Sequence, residues 1–384
     1  MPRGLNRIDF DRWYWYNIFK SSIHDWEKDQ LILPERNELI TLEAARGIAA
    51  VLVVLFHANL LCNAASLRPL DSLFAFGDSA VDFFFVLSGF IITWVHRSHW
   101  GKPSQAGSYL WRRFARIYPA YWAATLIVAL PFVLIPWTRS VVLSQGTEYI
   151  AQNILLAPTQ GFLIIPPAWT LQHEVLFYVL FGALIISRSG GLIVILAWIA
   201  GMFWVNIVTG CREFPYTFVF SPLNMQFVIG MISALLVTRI GRLTGLILLV
   251  FGGLWFFGLS IIQVKTHWLS NVFVSYPYGP ALMKGISGAF MIMGMVAIET
   301  FYHFRKLKLL SFIGTASYSM YLVHLPCMVS CLLALIATGM IERLSAETIF
   351  AVLAIYGIAA GLVFHRIAEK PLLNFVRGGK IRGF

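Results

Sequence analysis

Charge is scarce in this sequence of 384 residues: Asp, Glu, Lys and Arg together make up only 12% of it, whereas 58% is hydrophobic. A water-soluble globular protein carries about 25% charged residues, so this chain has too little charge to cover such a surface. Its mean hydropathy of +0.74 leads to the same conclusion. The composition predicts a polytopic membrane protein and excludes a soluble enzyme or binding module.

Several common functional motifs are missing as well. The chain contains no P-loop, no HExxH, no GxSxG and no N-glycosylation sequon, and therefore lacks the usual marks of phosphate-loop, zinc-protease and nucleophile-elbow chemistry. It has only four cysteines, which lie in or beside apolar segments, where a cysteine usually acts as a small core residue. We therefore predict no metal site. The net charge of +11 is explained by basic residues beside anionic membrane lipid, so we predict no nucleic-acid partner.

Long apolar runs are abundant and predict an all-α protein with about ten transmembrane helices. Most of the 29 Lys and Arg residues fall on one side of the membrane if both termini are cytoplasmic, as the positive-inside rule requires. We expect no removable signal peptide. The expected spans lie near 43 to 62, 79 to 96, 117 to 137, 171 to 187, 191 to 208, 217 to 237, 243 to 262, 281 to 299, 316 to 337 and 349 to 366.

The predicted organisation has three parts. Residues 1–40 form a cytoplasmic or interfacial N-terminal segment, 41–375 form the ten-helix membrane domain, and 376–384 form a basic cytoplasmic tail. The first predicted span carries Arg46 near one end and His57 deep inside. Their spacing leaves the two side chains about 20° apart around the helix axis and about 16 Å apart along it. One helix face therefore carries both, which suggests a polar path into the membrane.

Three ionisable side chains lie at a similar depth below the predicted outer surface. They are His57 on the first span, Asp82 on the second and Glu174 on the fourth. Intramembrane ionisable groups are costly and usually functional. We favour a general-base histidine oriented by a carboxylate, while a structural ion-paired knot stays open.

Other polar residues have both structural and functional interpretations. Arg113 and Arg116 share a helix face and form either a topogenic basic cluster or a guanidinium clamp for phosphate. His324, one turn from Tyr321 on the ninth span, is either a core histidine or a substrate contact. Ser88 is interpreted as a small packing residue.

The ordered set of motifs resembles the acyltransferase-3 family of integral-membrane O-acyltransferases, which decorate exopolysaccharides, lipopolysaccharide O-antigen and Nod factors. The resemblance covers about residues 41 to 375 and depends on the order of the motifs. They are Arg46-x10-His57, Val81-Asp82 through Ser88-Gly89-Phe90, Arg113-x-x-Arg116 before Pro119, Trp169-Thr170-Leu171-x-x-Glu174-x-x-Phe177-Tyr178, Ser317-Tyr318-x-x-Tyr321-Leu322-x-His324-x-Pro326, and Glu369-x-Pro371.

The resemblance implies ten helices, an acyl-coenzyme A donor (acetyl-coenzyme A first) and transfer to a hydroxyl of a glycan or lipid-linked sugar. It makes His57 the base and Arg113 with Arg116 the coenzyme A clamp. Asp82 and Glu174, which lie at the depth of His57, are the catalytic carboxylates expected beside it. Arg46 is assigned to the same donor site, although it could instead hold an acidic partner.

Substrate binding is assigned to Tyr178, Tyr321 and His324. The implied location is the bacterial inner membrane. Two other functions stay open at this point. One is a transporter or flippase of an acylated or lipid-linked sugar, and the other is a sterol or lipid sensor, which no motif in the sequence supports. The sequence leaves the acyl group, the acceptor position and a homodimer undecided.

Overall fold

The computed structural model describes residues 39–134, 146–265, 278–301 and 308–376. The predicted N-terminal segment 1–40 and tail 376–384 thus lie almost wholly outside the described residues. The described ranges contain helices and turns and no strand. Their α-helices are α1 Ile40–Ala64, α2 Ala80–His96, α3 Ala106–Leu134, α4 Gly146–Leu155, α5 Trp169–Ile186, α6 Arg188–Phe203, α7 Tyr216–Val219, α8 Met225–Leu236, α9 Arg242–Lys265, α10 Tyr278–Phe301, α11 Lys308–Thr315, α12 Ser317–Ala337, α13 Ala346–Phe364 and α14 Lys370–Val376.

Nine helical stretches of the described chain are long and apolar enough to cross a membrane. They correspond to nine of the predicted spans, and the prediction of an all-α, polytopic membrane protein is confirmed. The remaining predicted span, 117 to 137, lies on α3 as far as Leu134 and then leaves the described residues. A run of about 20 apolar residues matches the thickness of a bilayer core, which is why hydropathy located these helices well.

Helix α1 lies between two apolar clusters of the bundle. One face, around Val53, packs into a cluster that includes Phe90 of α2. The neighbouring Val54 belongs to a second cluster with Leu353 of α13. Because α1 is packed on more than one side, its polar side chains meet other helices as well as lipid.

A distant carboxylate caps the beginning of α1. Oε1 of Glu299, at the end of α10, accepts a hydrogen bond from the backbone N–H of Ile40 at 2.7 Å. Its Oε2 accepts from the N–H of Thr41 at 3.1 Å and also from the Thr41 hydroxyl. The first N–H groups of a helix have no partner within the helix, and the helix dipole favours a negative charge there. Glu299 therefore fixes where α1 begins relative to α10.

Helices α2 and α8 cross at a pair of glycines. A Cβ added at Gly230 would lie 2.0 Å from the carbonyl oxygen of Val86, and one added at Gly89 would lie 2.1 Å from that of Phe227. Neither distance is compatible with any side chain, so the two backbones touch. Small residues permit this close approach between membrane helices. The crossing brings the polar residues of α2 against those of α8.

After α13 the chain continues as a π-helix over His365–Glu369 before α14 begins. A π-helical turn inserts one residue into the helical register and is frequent at functional sites. Here it turns Glu369 fully into the protein interior. This residue belongs to one of the sequence motifs but had no predicted role.

Candidate functional site

The imidazoles of His57 and His324 meet between α1 and α12. Nε2 of His324 lies 3.2 Å from Nδ1 of His57, and the ring centroids are 4.9 Å apart. His324 is fully buried, whereas His57 is half-buried. The partner of His57 is therefore a second histidine and not the carboxylate that the sequence led us to expect.

For neutral imidazole rings, hydrogen-bond geometry assigns which nitrogen of each histidine carries the hydrogen. Nδ1 of His324 lies 2.8 Å from the carbonyl oxygen of Met320. A carbonyl only accepts, so this Nδ1 carries the hydrogen and Nε2 of His324 is an acceptor. Nδ1 of His57 likewise faces the carbonyl of Val53, at 2.9 Å, and so donates to both Val53 and His324. The remaining nitrogen, Nε2 of His57, then has a free lone pair and can take a proton.

Tyr321 connects the histidine pair to the beginning of α5. Its hydroxyl donates to the carbonyl of Pro167 at 2.5 Å and lies 2.6 Å from Oγ1 of Thr170. The ring of Tyr321 is 6.2 Å from that of His324, measured between centroids. Tyr321 and His324 are thus neighbours, as their spacing predicted. Their assignment to substrate binding stays a prediction.

Glu174 forms a second polar centre with two hydroxyl groups. Its Oε1 accepts hydrogen bonds from Ser88 of α2, at 3.1 Å, and from Tyr178 one turn along α5. Sequence reasoning treated Ser88 as a packing residue and gave Tyr178 a separate role. In the structure both hydroxyls hold the same carboxylate. A hydroxyl next to a small residue in a helix carries little sequence signal, so this contact could not be foreseen.

Asp82 belongs to a third, separate centre. Nζ of Lys284 on α10 lies 3.2 Å from its Oδ2, and Nε2 of Gln226 on α8 donates to its Oδ1 at 2.5 Å. All three side chains are buried. Lys284 therefore turns inward instead of extending to the membrane surface, because the carboxylate compensates its charge. The structure does not bring Asp82 and Glu174 onto His57, so the three residues of similar predicted depth do not share one centre.

The three predicted donor-site arginines lie at the other end of the polar face of α12. Nη2 of Arg46 donates to Ser317 at 3.1 Å. Nη1 of Arg116 forms an ion pair with Oε1 of Glu369 at 2.7 Å. The guanidinium of Arg113 lies over the ring of Tyr178, with Cζ 5.7 Å from the ring centroid. The three guanidinium groups therefore have three different partners: a hydroxyl, a carboxylate and an aromatic ring.

Helix α12 carries polar residues that contact both the arginines and the histidine pair. Ser317 contacts Arg46 and His324 contacts His57, so the face shared by Arg46 and His57 on α1 faces α12 at both positions. Arg46, His57 and Glu174 are all half-buried. A series of partly accessible polar side chains inside an apolar bundle is the arrangement expected for a ligand path. We call this series the polar path; its arginine end is at Arg46 and its histidine end is at His57. Among the described residues, no cluster of His, Cys, Asp and Glu is suited to a metal ion.

Comparisons with known proteins give one matching family model and two similar proteins. A family model described as an acyltransferase domain matches residues 39–366. The exopolysaccharide production protein ExoZ of Rhizobium meliloti is 26% identical over 323 residues, which cover 80% of this chain and 93% of the relative. Protein 2 in the picA locus of Rhizobium radiobacter is 28% identical over 159 residues, or 37% of this chain and 78% of the relative. No solved structure matches significantly.

Proposed function

The chain belongs to the acyltransferase-3 family and is a multi-pass membrane O-acyltransferase, and we propose that it transfers an acyl group from acyl-coenzyme A to a sugar hydroxyl. Acetyl is the acyl group we propose first. The observation that carries this proposal is the free Nε2 of His57, fixed by His324 at one end of a polar series that has arginines at its other end.

The proposed acceptor is a surface glycan or a lipid-linked sugar. Support comes from the relative ExoZ, an exopolysaccharide production protein. We also propose that the protein lies in the inner membrane of a bacterium with both termini in the cytoplasm. Phosphate-bearing donors would then reach the arginine end from inside the cell, and the glycan hydroxyl would meet His57 nearer the outer face.

His57 is proposed as the general base. Its Nε2 accepts the proton of the acceptor hydroxyl while the oxygen attacks the thioester carbonyl. The thioester supplies an activated acyl group with a good leaving thiol. Nδ1–H of the resulting imidazolium keeps its bond to Nε2 of His324, and the imidazolium returns its proton to the departing sulfur. A positioned base of this kind contributes typically about 10² to 10⁴ in rate.

The remaining predicted site residues enter the proposal with roles revised from the catalytic and substrate-binding ones that the sequence suggested. Glu174, with Tyr178 and Ser88, supports the middle of the path, and Tyr321 shapes the wall beside the histidines. Asp82 is proposed to act indirectly, because its described partners are Lys284 and Gln226.

The donor residues fit a phosphate-bearing acyl carrier. The side chains at the arginine end are guanidinium groups, whose forks match phosphate oxygens bidentately. The buried Nε of Arg113 has no protein partner, so it has capacity for a ligand acceptor. No metal enters the proposed reaction.

The test is acyl transfer by the purified full chain in proteoliposomes. Radiolabelled acetyl-coenzyme A and a glycan fraction are supplied, and label in the glycan is measured. We expect transfer by the wild type and by Leu60→Ala, a matched change at an exposed position of α1, and its loss in His57→Gln at unchanged melting temperature. Undiminished transfer by His57→Gln would remove the base assignment. Sugar transport without any label transfer by the wild type would instead support a flippase.

A further inference from the structure

Arg46, Arg113 and Arg116, at the arginine end of the polar path, differ in how their charge is compensated. This inference rests on the proposed acyl-coenzyme A donor and asks which of the arginines holds it. Sequence reasoning treated Arg113 and Arg116 as one clamp, because they share a helix face. The structure separates them by their partners.

Arg116 is committed to a buried carboxylate. Glu369 is fully buried, and both of its oxygens are used. Oε1 pairs with Arg116 at 2.7 Å, while Oε2 accepts from Ser319 at 2.6 Å and lies 2.8 Å from Nδ1 of His365. An ion pair with this many hydrogen bonds is costly to break, since removing one partner leaves a buried charge without compensation. Because the charge of Arg116 is already balanced by Glu369, a phosphate at this position would meet a guanidinium whose charge is compensated.

Arg113 and Arg46 are in the opposite situation. Neither has a carboxylate within ion-pair distance among the described residues. The ion pairs found there involve Arg116, Lys284 and His365 instead. The Nε of Arg113 is buried without a hydrogen-bond partner, although its guanidinium lies over the ring of Tyr178. Arg46 has a neutral partner, Ser317. Partly buried guanidinium groups that lack a directly contacting carboxylate are typical of a site whose anion arrives with the ligand.

We propose that Arg113 and Arg46 bind the phosphate groups of the acyl donor, and that Arg116 is a positioning residue that does not touch the donor. Arg113 offers a planar fork that can bind a phosphate through two hydrogen bonds. Arg46 reaches Ser317, at the beginning of α12, from α1.

The positioning role of Arg116 follows from the elements that Glu369 connects. The carboxylate joins α3, through Arg116, to α12, through Ser319, and to the π-helical turn, through His365. Arg113 lies one turn before Arg116 on α3, and residues three apart are neighbours on a helix. The Arg116–Glu369 pair therefore sets the direction in which Arg113 enters the path.

The experiment compares two donors that differ in their phosphates. S-acetyl-pantetheine has the same thioester arm as acetyl-coenzyme A but lacks the phosphate-bearing nucleotide. For each variant of the full chain in proteoliposomes, kcat/KM is measured with both donors, and their ratio gives the preference for phosphate. The variants are Arg113→Gln, Arg46→Gln, Arg116→Gln, Arg116→Lys, Glu369→Gln and, as a matched control, the exposed Arg188→Gln.

We expect Arg113→Gln and Arg46→Gln each to lower the ratio of kcat/KM for acetyl-coenzyme A to that for acetyl-pantetheine by about 10- to 100-fold. This is the change expected when one hydrogen bond to a charged group is lost. Their kcat/KM with acetyl-pantetheine should fall by a smaller factor than their kcat/KM with acetyl-coenzyme A, because the phosphate-free donor never makes the lost contacts. Arg116→Gln and Glu369→Gln should lower the rates with both donors by one common factor and leave the preference intact. Arg116→Lys retains a charge for Glu369 and should keep the wild-type preference even if Arg116→Gln does not fold.

Three results would overturn the assignment. They are a preference that falls in Arg116→Lys as it does in Arg113→Gln, a preference that persists in Arg113→Gln, and a wild type that uses both donors equally well. A wild type that transfers acyl groups from neither donor would instead contradict the proposed function itself. The Arg188→Gln control should match the wild type with both donors.

Discussion

His324 accepts a hydrogen bond from His57 across the interface of α1 and α12, at 3.2 Å between Nε2 and Nδ1. This contact orients the imidazole of His57, the proposed base, and leaves its Nε2 free. It also gives the imidazolium a fixed acceptor. An imidazole in this position takes the part that a carboxylate plays beside the histidine of a hydrolase triad, but it adds no negative charge inside the membrane.

The first prediction concerns this orientation. His324→Ala should lower kcat for acyl transfer by about 10- to 100-fold, because the imidazolium loses a hydrogen bond to a charged group. The loss should be smaller than that in His57→Gln. The KM for the acyl donor should stay unchanged, since the donor arginines lie at the other end of the path. Initial rates at varied donor concentration measure both quantities, and a change confined to KM would contradict the orientation role.

A second prediction concerns the buried pair of Asp82 and Lys284. Asp82→Asn or Lys284→Met alone should lower the free energy of unfolding by about 3 to 5 kcal/mol, because each leaves one buried charge uncompensated. The double variant Asp82→Asn/Lys284→Met should recover most of the loss. Thermal unfolding in detergent, followed for all four proteins, measures the coupling. Additive losses would show that the two residues stabilise the protein independently.

The third prediction tests the crossing of α2 and α8. Gly230→Ala places a Cβ 2.0 Å from the carbonyl oxygen of Val86, so the helices must separate. We expect a loss of about 1 to 3 kcal/mol in the free energy of unfolding, the usual cost of overpacking. The matched control is Gly241→Ala, because a Cβ there meets no atom within 4 Å. Equal melting temperatures for the two variants would refute this close packing.

The helices of this protein could be predicted because their signal is local. Each predicted span is a run of apolar residues about as long as a bilayer is thick, and the described helices follow these runs. The shared face of Arg46 and His57 was predictable for the same reason, since it depends only on helical spacing. Both residues contact α12.

The partners of the polar residues could not be predicted, because they lie on helices far apart in the sequence. Lys284 lies within the eighth predicted span, where the sequence alone names no partner for its charge, yet it pairs with Asp82. Glu369 belonged to a motif without a role, and its contact with Arg116 depends on a π-helical turn that hydropathy does not reveal. The choice between a carboxylate and His324 as partner of His57 likewise depends on helix packing.

The most direct test of the central claim is the mass of the surface glycan made by cells that express either the wild type or His57→Gln as their one copy of this protein. If His57 is the base of a glycan O-acyltransferase, wild-type cells yield sugar repeats heavier by one acyl group, and alkali removes that mass. His57→Gln cells, with equal amounts of folded protein in the membrane, yield repeats without it. Identical acylated glycans from both cell lines would contradict the account.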